Sequence, residues 1–231
     1  MPDAPAPSDD AIEAPEPASR PASEQTDQPS PQTPEQAPIA RMLLVGGASG
    51  SGKSRLAESS GLPVLRLDDF YRVAGDPALP VLDTGEVDWD HPGSWHLPDA
   101  IAAIEELATT GTTKVPEYDI ALSDRVGWRT LELGHARAFV AEGIFASEVV
   151  APALERGLLL DAIAVRRPRG TTMAFRFLRD LRERRKSPAF LVRRGLLLAR
   201  REPTIVRALT DAGCRPLRPR AIRRELARHA G

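Results

Sequence analysis

The fold is decided by residues 39–54, which read IARMLLVGGASGSGKS. A mainly apolar run from Ile39 to Val45 precedes a glycine-rich loop, and residues 47–54 match the pattern G-x-x-x-x-G-K-[ST] in full. A loop of this kind, placed between a strand and a helix, turns backbone N–H groups towards phosphate oxygens, and the helix adds the positive end of its dipole. The stretch therefore predicts a strand, a phosphate-binding loop and a helix over about residues 52–60.

The loop contains the residue types that phosphate binding requires. Glycines allow the backbone N–H groups to approach the phosphate oxygens closely. Lys53 can reach the β- and γ-phosphates of a nucleoside triphosphate, and Ser54 can ligate Mg²⁺. The pattern leaves open which molecule receives the phosphate. The residues that we expect to bind phosphate are Gly47, Ala48, Ser49, Gly50, Ser51, Gly52, Lys53 and Ser54.

The rest of the chain alternates short apolar runs with helical patterns. Strands are predicted at 63–67, 138–141, 160–165 and 214–217, and a hairpin-like insertion at 112–115 and 126–133. Helices are predicted around 98–107, 147–156, 170–186 and 188–211, and from 220 onward. Apolar strands that alternate with helices indicate a mostly parallel sheet covered on both faces. With the phosphate loop, they predict an α/β three-layer sandwich of the P-loop NTPase type, whose ligand crevice lies at the carboxyl ends of the strands.

Composition separates an N-terminal extension from one folded domain at 39–231. Residues 1–38 contain ten prolines, carry a net charge of −7 and have almost no large apolar side chain. Such a segment buries too little apolar surface to offset the entropy cost of ordering, so we predict that it is disordered, although it could also dock a partner. Residues 164–231 carry 20 basic and five acidic side chains, which indicates a region that handles anions.

Several classes of protein do not fit the sequence. No apolar run approaches the ~18–20 residues of a membrane span. The N-terminus is acidic and proline-rich, unlike a secretory signal. Cys214 is the only cysteine, so an internal disulfide is impossible. The basic last third lacks the interleaved aromatic residues of a nucleic-acid stacking surface. We therefore expect a soluble, cytoplasmic protein with neither a nucleic-acid nor a membrane partner.

Three further segments concern the acceptor of the phosphate: LDDFYR at 67–72, DWDHP at 88–92 followed by VPEYD at 115–119, and FRFLRDLRERRK at 175–186. With the phosphate loop and EGI at 142–144, their order and spacing resemble the uridine kinase family (uridine–cytidine kinases), within the larger group that includes phosphoribulokinase and pantothenate kinase. That family shows D-x-F-Y-[KR], F-D-H-P, P-x-Y-D, E-G-I and R-x-x-R-D-x-x-x-R-x-[RK] in this order. The similarity covers about residues 42–220.

The resemblance implies an enzyme that transfers a phosphoryl group from ATP to the 5′-hydroxyl of uridine or cytidine, with Mg²⁺. Asp68 matches the carboxylate that orients the hydroxyl and takes its proton, and it acts with Lys53 and Arg179. Ser54, Asp68 and Glu142 match the residues around Mg²⁺. The residues that match the acceptor side are Tyr71, Asp90, His91, Tyr118 and Arg176. The residues that match the lid over the phosphates, at about 170–190, are Arg179, Arg184 and Lys186.

Some residues allow a structural role beside the functional one. We expect Asp69 to be structural, and His91, which precedes Pro92, suits either a contact with the sugar or a role in shaping its loop. The tryptophans at positions 89, 95 and 128 are predicted to be packing residues.

The sequence also departs from the family in ways that leave alternatives open. Ser123 stands where the family often has a histidine that contacts the pyrimidine, so the preferred base stays open. Three alternative functions stay open: a kinase of another small hydroxyl compound (pantothenate- or phosphoribulokinase-like), a non-catalytic ATP-binding regulatory protein, and a nucleic-acid-binding protein that uses the basic last third. The choice between a monomer and a homo-oligomer also stays open.

Overall fold

The predicted apolar run forms the central strand of the protein. The computed structural model describes residues 37–168 and 203–230. Within them the strands are β1 (Arg41–Gly46), β2 (Val64–Arg66), β3 (Thr112–Asp119), β4 (Asp124–Glu132), β5 (Ala138–Gly143), β6 (Leu159–Val165) and β7 (Arg215–Leu217). Five of them form one sheet in the order β2-β5-β1-β6-β7, and all of its pairings are parallel. The predicted parallel sheet is confirmed.

Helices cover both faces of this sheet. The described helices are α1 (Lys53–Glu58), α2 (Leu97–Thr110), α3 (Ala146–Glu155), residues 203–211 and the last helix, Pro219–Ala227. Two short 3₁₀ turns, Leu67–Phe70 and Pro92–Ser94, lie in the connections. No described helix is long and apolar enough to cross a membrane.

The side chains of β1 alternate between two separate cores. Met42 and Leu44 are fully buried and pack in the cluster that contains buried residues of α2 and α3. Leu43 and Val45 are equally buried and pack with Leu56 of α1 and with apolar residues of the last helix. Successive residues of a strand point to opposite faces, and a strand that is buried on both faces must be apolar throughout. This is why residues 42–45 are apolar without interruption.

The strand order creates a crevice at the end of β1. In the sheet β1 lies between β5 and β6, and Gly46 at its end is paired with Gly143 of β5 and Ala164 of β6. The loop that follows β1 therefore lies at the point where the connections between strands lead to opposite sides of β1 in the sheet. In an open α/β sheet this is the place where ligands bind.

The hairpin is longer than the sequence analysis predicts. We expected its first strand to end at Val115, before a proline, but β3 continues through Pro116 to Asp119 and pairs with β4 along its whole length. Both strands of a two-stranded ribbon are edge strands, so a proline without an N–H need not break the ladder. Trp128 of β4 is 58% exposed, so its predicted packing role is wrong; its ring instead lies 4.7 Å from the guanidinium of Arg125.

Some predictions fall outside the described residues. These are the disordered extension apart from Ala37 and Pro38, the arginine-rich helix and lid at about 170–190, and the first part of the helix at 188–211. The division into an extension and a domain at 39–231 stays a prediction.

Candidate active site

The phosphate loop joins the end of β1 to the start of α1, as the sequence predicts. Gly50 and Gly52 have φ angles of 80° and 84°, a left-handed conformation that glycine adopts without the steric cost of a Cβ. A Cβ built on Gly47 would lie only 2.7 Å from Oγ of Ser51, so the loop is tightly curled. A curled glycine-rich backbone before a helix is the arrangement that gathers N–H groups around an anion.

Three charged side chains from three elements meet beside this loop. Nζ of Lys53, at the start of α1, lies 3.6 Å from Oδ2 of Asp68 and 3.8 Å from Oε2 of Glu142. Asp68 lies in the 3₁₀ turn that follows β2, and Glu142 lies at the end of β5. Since β2, β5 and β1 are neighbours in one parallel sheet, their carboxyl ends bring these residues to the same place.

Glu142 is the buried carboxylate of this group, with 2% of its surface exposed. Burial raises the pKa of Glu142, and the negative charge of Asp68 acts in the same direction. The positive charge of Lys53 and a hydrogen bond from the Ser54 hydroxyl act against this shift. Oε2 of Glu142 is buried and accepts no hydrogen bond within the described residues. A buried carboxylate oxygen without a donor is well suited to a cation.

The oxygen donors at this point fit Mg²⁺. Ser54, Asp68 and Glu142 offer a hydroxyl and two carboxylates, and Mg²⁺ in phosphoryl-transfer sites binds one or two carboxylates and keeps its remaining positions for waters and substrate phosphates. Residues 37–168 and 203–230 contain no group of three or more His, Cys, Asp or Glu side chains that could hold a metal ion. An open site shared with a phosphate therefore suits these residues better than a closed cage.

Asp68 is held in one orientation by the end of β5. Its Oδ1 accepts a hydrogen bond of 3.2 Å from the backbone N–H of Ile144, while Oδ2 faces Lys53. Gly143 makes this close approach possible, because a Cβ at that position would lie 2.7 Å from Cβ of Leu67 and 3.0 Å from Oδ1 of Asp68. The Asp68 side chain keeps 30% of its surface exposed, so its carboxylate remains accessible from the crevice.

Aromatic side chains form a wall next to Asp68. The ring centroid of Tyr71 lies 6.1 Å from that of Trp89 and 5.8 Å from those of Tyr118 and Phe145. The Tyr71 hydroxyl donates to the Trp89 carbonyl at 3.3 Å, and the Tyr118 hydroxyl donates to the Arg72 carbonyl at 2.9 Å. These contacts join the loop after β2, the loop around residue 89, the hairpin and the start of α3. We call Tyr71, Trp89, Tyr118 and Phe145 the aromatic wall.

Two negatively charged carboxylates act on Tyr71 of the aromatic wall. Burial raises the pKa of Tyr71 above its usual range, and the negative charges of Asp68 and Asp90 act in the same direction. Burial also raises the pKa of Tyr118, to about 12, although a hydrogen bond from Ser123 opposes the shift. The structure thus brings the predicted residues Asp68, Tyr71, Asp90 and Tyr118 together around one aromatic surface.

Two neighbouring polar residues serve the local structure. Asp69 pairs with Arg129 of β4 at 3.4 Å, which ties the turn after β2 to the hairpin. Burial raises the pKa of Asp69, and the charge of Arg129 opposes this. His91 uses Nδ1 to accept a hydrogen bond of 2.9 Å from the backbone N–H of Gly93. The loop-shaping role of His91 is therefore visible in its contacts.

A cavity of about 710 Å³ opens beside the aromatic wall, between β2 and the hairpin. Tyr118, Asp69 and Arg129 line it, together with Arg66, Val64 and Val126. Neither Asp68 nor Lys53 is among its lining residues. The cavity therefore adjoins the group around Lys53 but does not contain it.

Two members of the aromatic wall were not predicted as site residues, and four predicted site residues lie outside the described part of the chain. Trp89 was predicted only to pack, and Phe145 was given no role. Their positions next to predicted site residues could have indicated them, since Trp89 directly precedes Asp90 and Phe145 directly follows the motif at 142–144. Outside the described residues lie Arg176, Arg179, Arg184 and Lys186.

Comparison with known proteins bears on this geometry. No family model matches the chain. A uridine kinase of Saccharomyces cerevisiae is 32% identical over 112 residues, which cover 46% of this chain and 22% of that protein. A uridine kinase of Ureaplasma parvum is 24% identical over 156 residues, which cover 63% of this chain and 72% of that protein. The chain is similar to uridine kinases. The resemblance predicted from the motifs is confirmed.

Two other comparisons concern the fold and the breadth of the similarity. A Silicibacter protein of solved structure, described as a fructose transport system kinase, superposes with a TM-score of 0.53 at 17% identity, covering 80% of this chain and 89% of that one. This confirms the α/β fold of P-loop kinases. An inorganic pyrophosphatase of Arabidopsis thaliana is 30% identical over 122 residues, 17% of its length. The chain thus spans less than a quarter of the yeast and Arabidopsis relatives.

Proposed function

We propose that this protein is an Mg²⁺-dependent kinase that transfers the γ-phosphoryl group of ATP to the 5′-hydroxyl of uridine or cytidine. The observation that carries the proposal is the meeting of Lys53, Asp68 and Glu142 beside a phosphate loop and an aromatic wall. The similarity to uridine kinases supports the choice of acceptor.

The first step is binding of the triphosphate to the loop. Backbone N–H groups of the loop hold its oxygens, and Lys53 contacts the β- and γ-phosphates. Lys53 is 6% exposed and lies between two carboxylates, so its charge is fixed in place before the nucleotide arrives. A cation that is already oriented stabilises developing negative charge without reorganisation during the reaction.

The second step is activation of the sugar hydroxyl by Asp68. The N–H of Ile144 holds Oδ1, which leaves Oδ2 to accept a hydrogen bond from the hydroxyl. As the hydroxyl oxygen forms its bond to the γ-phosphorus, its proton passes to Asp68 and the bond from the γ-phosphorus to the β-γ bridging oxygen breaks, releasing ADP. Ser54, Asp68 and Glu142 would hold Mg²⁺, which would neutralise negative charge on the phosphates.

The third element of the proposal is the acceptor pocket. The aromatic wall offers π-faces to a planar base, and Asp90 lies near it to hold sugar hydroxyls, with His91 beside it. We further propose that Arg176 contacts the acceptor and that Arg179, Arg184 and Lys186 belong to a lid over the phosphates. Closure of such a lid places positive charge on the transferring group and excludes water.

One observation favours a second candidate, a kinase of another small hydroxyl compound. Ser123 stands where the family often has a base-contacting histidine. A site without that base-reading group loses discrimination against acceptors that lack the base.

A panel of acceptors tests the proposal. The full-length protein is incubated with ATP, Mg²⁺ and one of uridine, cytidine, adenosine, pantothenate or a pentose phosphate, and products are separated by chromatography. The proposal expects uridine or cytidine monophosphate together with stoichiometric ADP. Product only from pantothenate or a sugar phosphate would favour the second candidate, and no product from any acceptor, with ATP bound, would favour a regulatory nucleotide-binding protein.

A further inference from the structure

Arg167 lies against the phosphate loop from a direction that the mechanism above does not use. A Cβ built on Gly52 would lie 3.2 Å from Nη2 of Arg167 and 3.6 Å from its Cζ. The side chain reaches this point because β6 pairs with β1, so that the residues just after Val165 lie beside the loop that follows β1. The guanidinium therefore covers Gly52, the residue just before α1 begins.

Two more arginines add positive charge at the same place. The charges of Arg223, on the last helix, and Arg55, on α1, lower the pKa of Arg167, although burial contributes more. Their helices pack together, because Leu56 of α1 and Ile222 of the last helix share one core. We call Arg55, Arg167 and Arg223 the donor-side arginine cluster.

The donor-side arginine cluster differs from the environment of Lys53. Lys53 lies between Asp68 and Glu142, whereas in the described part of the chain neither Arg55 nor Arg223 forms an ion pair with a carboxylate. Arg55 and Arg223 therefore add positive charge beside Arg167, which attracts an anion bound there. The phosphate loop thus has Lys53 between two carboxylates and additional positive charge near Gly52.

The position of this cluster along the loop indicates which part of an anion it meets. In loops of this kind the lysine reaches the β- and γ-phosphates while the glycine-rich backbone cradles the α- and β-phosphates. Lys53 touches Asp68, so the transferring end of the triphosphate lies there. Arg167 lies at Gly52, on the glycine-rich backbone that precedes the lysine.

We propose that Arg167 binds the donor nucleotide at the phosphates that the glycine-rich backbone cradles, the α- and β-phosphates, with Arg55 and Arg223 adding to the positive potential at that site. The inference rests on the proposed function only in requiring a nucleoside triphosphate as ligand. It gives the basic last third of the chain a role in binding the donor nucleotide, in addition to the role of the predicted lid.

Nucleotide binding by the full-length protein tests the inference. Affinities for ATP and ADP, with Mg²⁺ and without acceptor, are measured by calorimetry for the wild type, Arg167→Gln and Arg223→Gln. The control is Arg228→Gln, since Arg228 directly follows the helix that carries Arg223 but pairs with Glu225. We expect Arg167→Gln to weaken the binding of both nucleotides by the same factor, about tenfold, because a hydrogen bond to a charged group is lost from one of the two phosphates that they share. Arg223→Gln should weaken both by a smaller factor, and Arg228→Gln should leave both unchanged.

The outcomes separate this inference from the proposed function. Unchanged ATP affinity in folded Arg167→Gln and Arg223→Gln would overturn it, and so would a loss confined to ATP, which would place Arg167 at the γ-phosphate. If Arg167→Gln does not fold, Arg167→Lys and Arg223→Gln carry the test. Weakened binding in a protein that phosphorylates no acceptor would support this inference and reject the proposed function. A wild type that binds no ATP would overturn both.

Discussion

Gly143 is the residue that lets Asp68 approach the end of β5. A Cβ at Gly143 would lie 3.0 Å from Oδ1 of Asp68 and 2.7 Å from Cβ of Leu67, and Leu67 is fully buried. The hydrogen bond from Ile144 to Asp68 depends on the same contact. The orientation of the proposed proton acceptor is therefore set by a residue without a side chain.

Gly143→Ala tests this relationship. Because Leu67 cannot move without disturbing the core, we expect Asp68 to be displaced, with kcat reduced at least tenfold and the free energy of unfolding lowered by about 1–3 kcal/mol. The measurements are steady-state kinetics and denaturant unfolding. Gly127→Ala is the control, since a Cβ there meets only the flexible carboxylate of Glu117. Equal activity in Gly143→Ala and wild type would show that the close contact does not position Asp68.

Trp89→Ala tests the aromatic wall. The ring of Trp89 contacts Tyr71 edge to face, at 6.1 Å between centroids, so its loss removes one side of the proposed acceptor pocket. We expect the KM of the nucleoside to rise about fivefold to tenfold, in line with the ~1–1.5 kcal/mol of an aromatic contact, with a smaller change in kcat and in the KM of ATP.

The matched control for Trp89 is Trp128→Ala, which removes the same side chain from an exposed position on the hairpin. Its kinetic constants should equal those of the wild type. If Trp128→Ala raised the KM of the nucleoside as much as Trp89→Ala, the acceptor would have to bind at the hairpin and not at the aromatic wall.

Cys214 should be inert to thiol reagents in the folded protein. Burial, together with the negative charge of Asp161, raises the pKa of Cys214 to about 11 from its usual value near 9. Because the folded state favours the protonated thiol, its contribution to stability is complete below about pH 9 and is lost as the pH rises from 9 towards 11. Labelling at pH 8 should be slow in native protein and rapid after denaturation. Rapid labelling of the native protein would contradict the burial of this thiol.

Local sequence predicted the central strand, the phosphate loop and the two carboxylates because each depends on a short pattern. The run at 39–45 is apolar since β1 is buried on both faces, and residues 47–54 carry their motif in one stretch. Asp68 and Glu142 each follow an apolar strand, so their meeting could be inferred from the rule that parallel strands align their carboxyl ends.

Features that depend on side-chain packing between distant segments were not predicted. Arg167 approaches Gly52 because β6 pairs with β1, and its arginine neighbours come from two different helices. Trp89 belongs to the aromatic wall through a contact with Tyr71, which lies 18 residues earlier. The continuation of β3 through Pro116 was not predicted, since only the pairing partner shows whether a strand is an edge that tolerates a proline.

The most direct test of the account compares Asp68→Asn with Asp69→Asn in phosphoryl transfer to uridine or cytidine. Both variants replace a carboxylate with an amide in the same 3₁₀ turn, but only Asp68 faces Lys53, whereas Asp69 pairs with Arg129. We predict that Asp68→Asn lowers kcat by about 10²–10⁴ while ATP still binds, and that Asp69→Asn stays within about threefold of the wild type. Comparable turnover in Asp68→Asn and wild type would contradict the assignment of Asp68 as the residue that activates the hydroxyl.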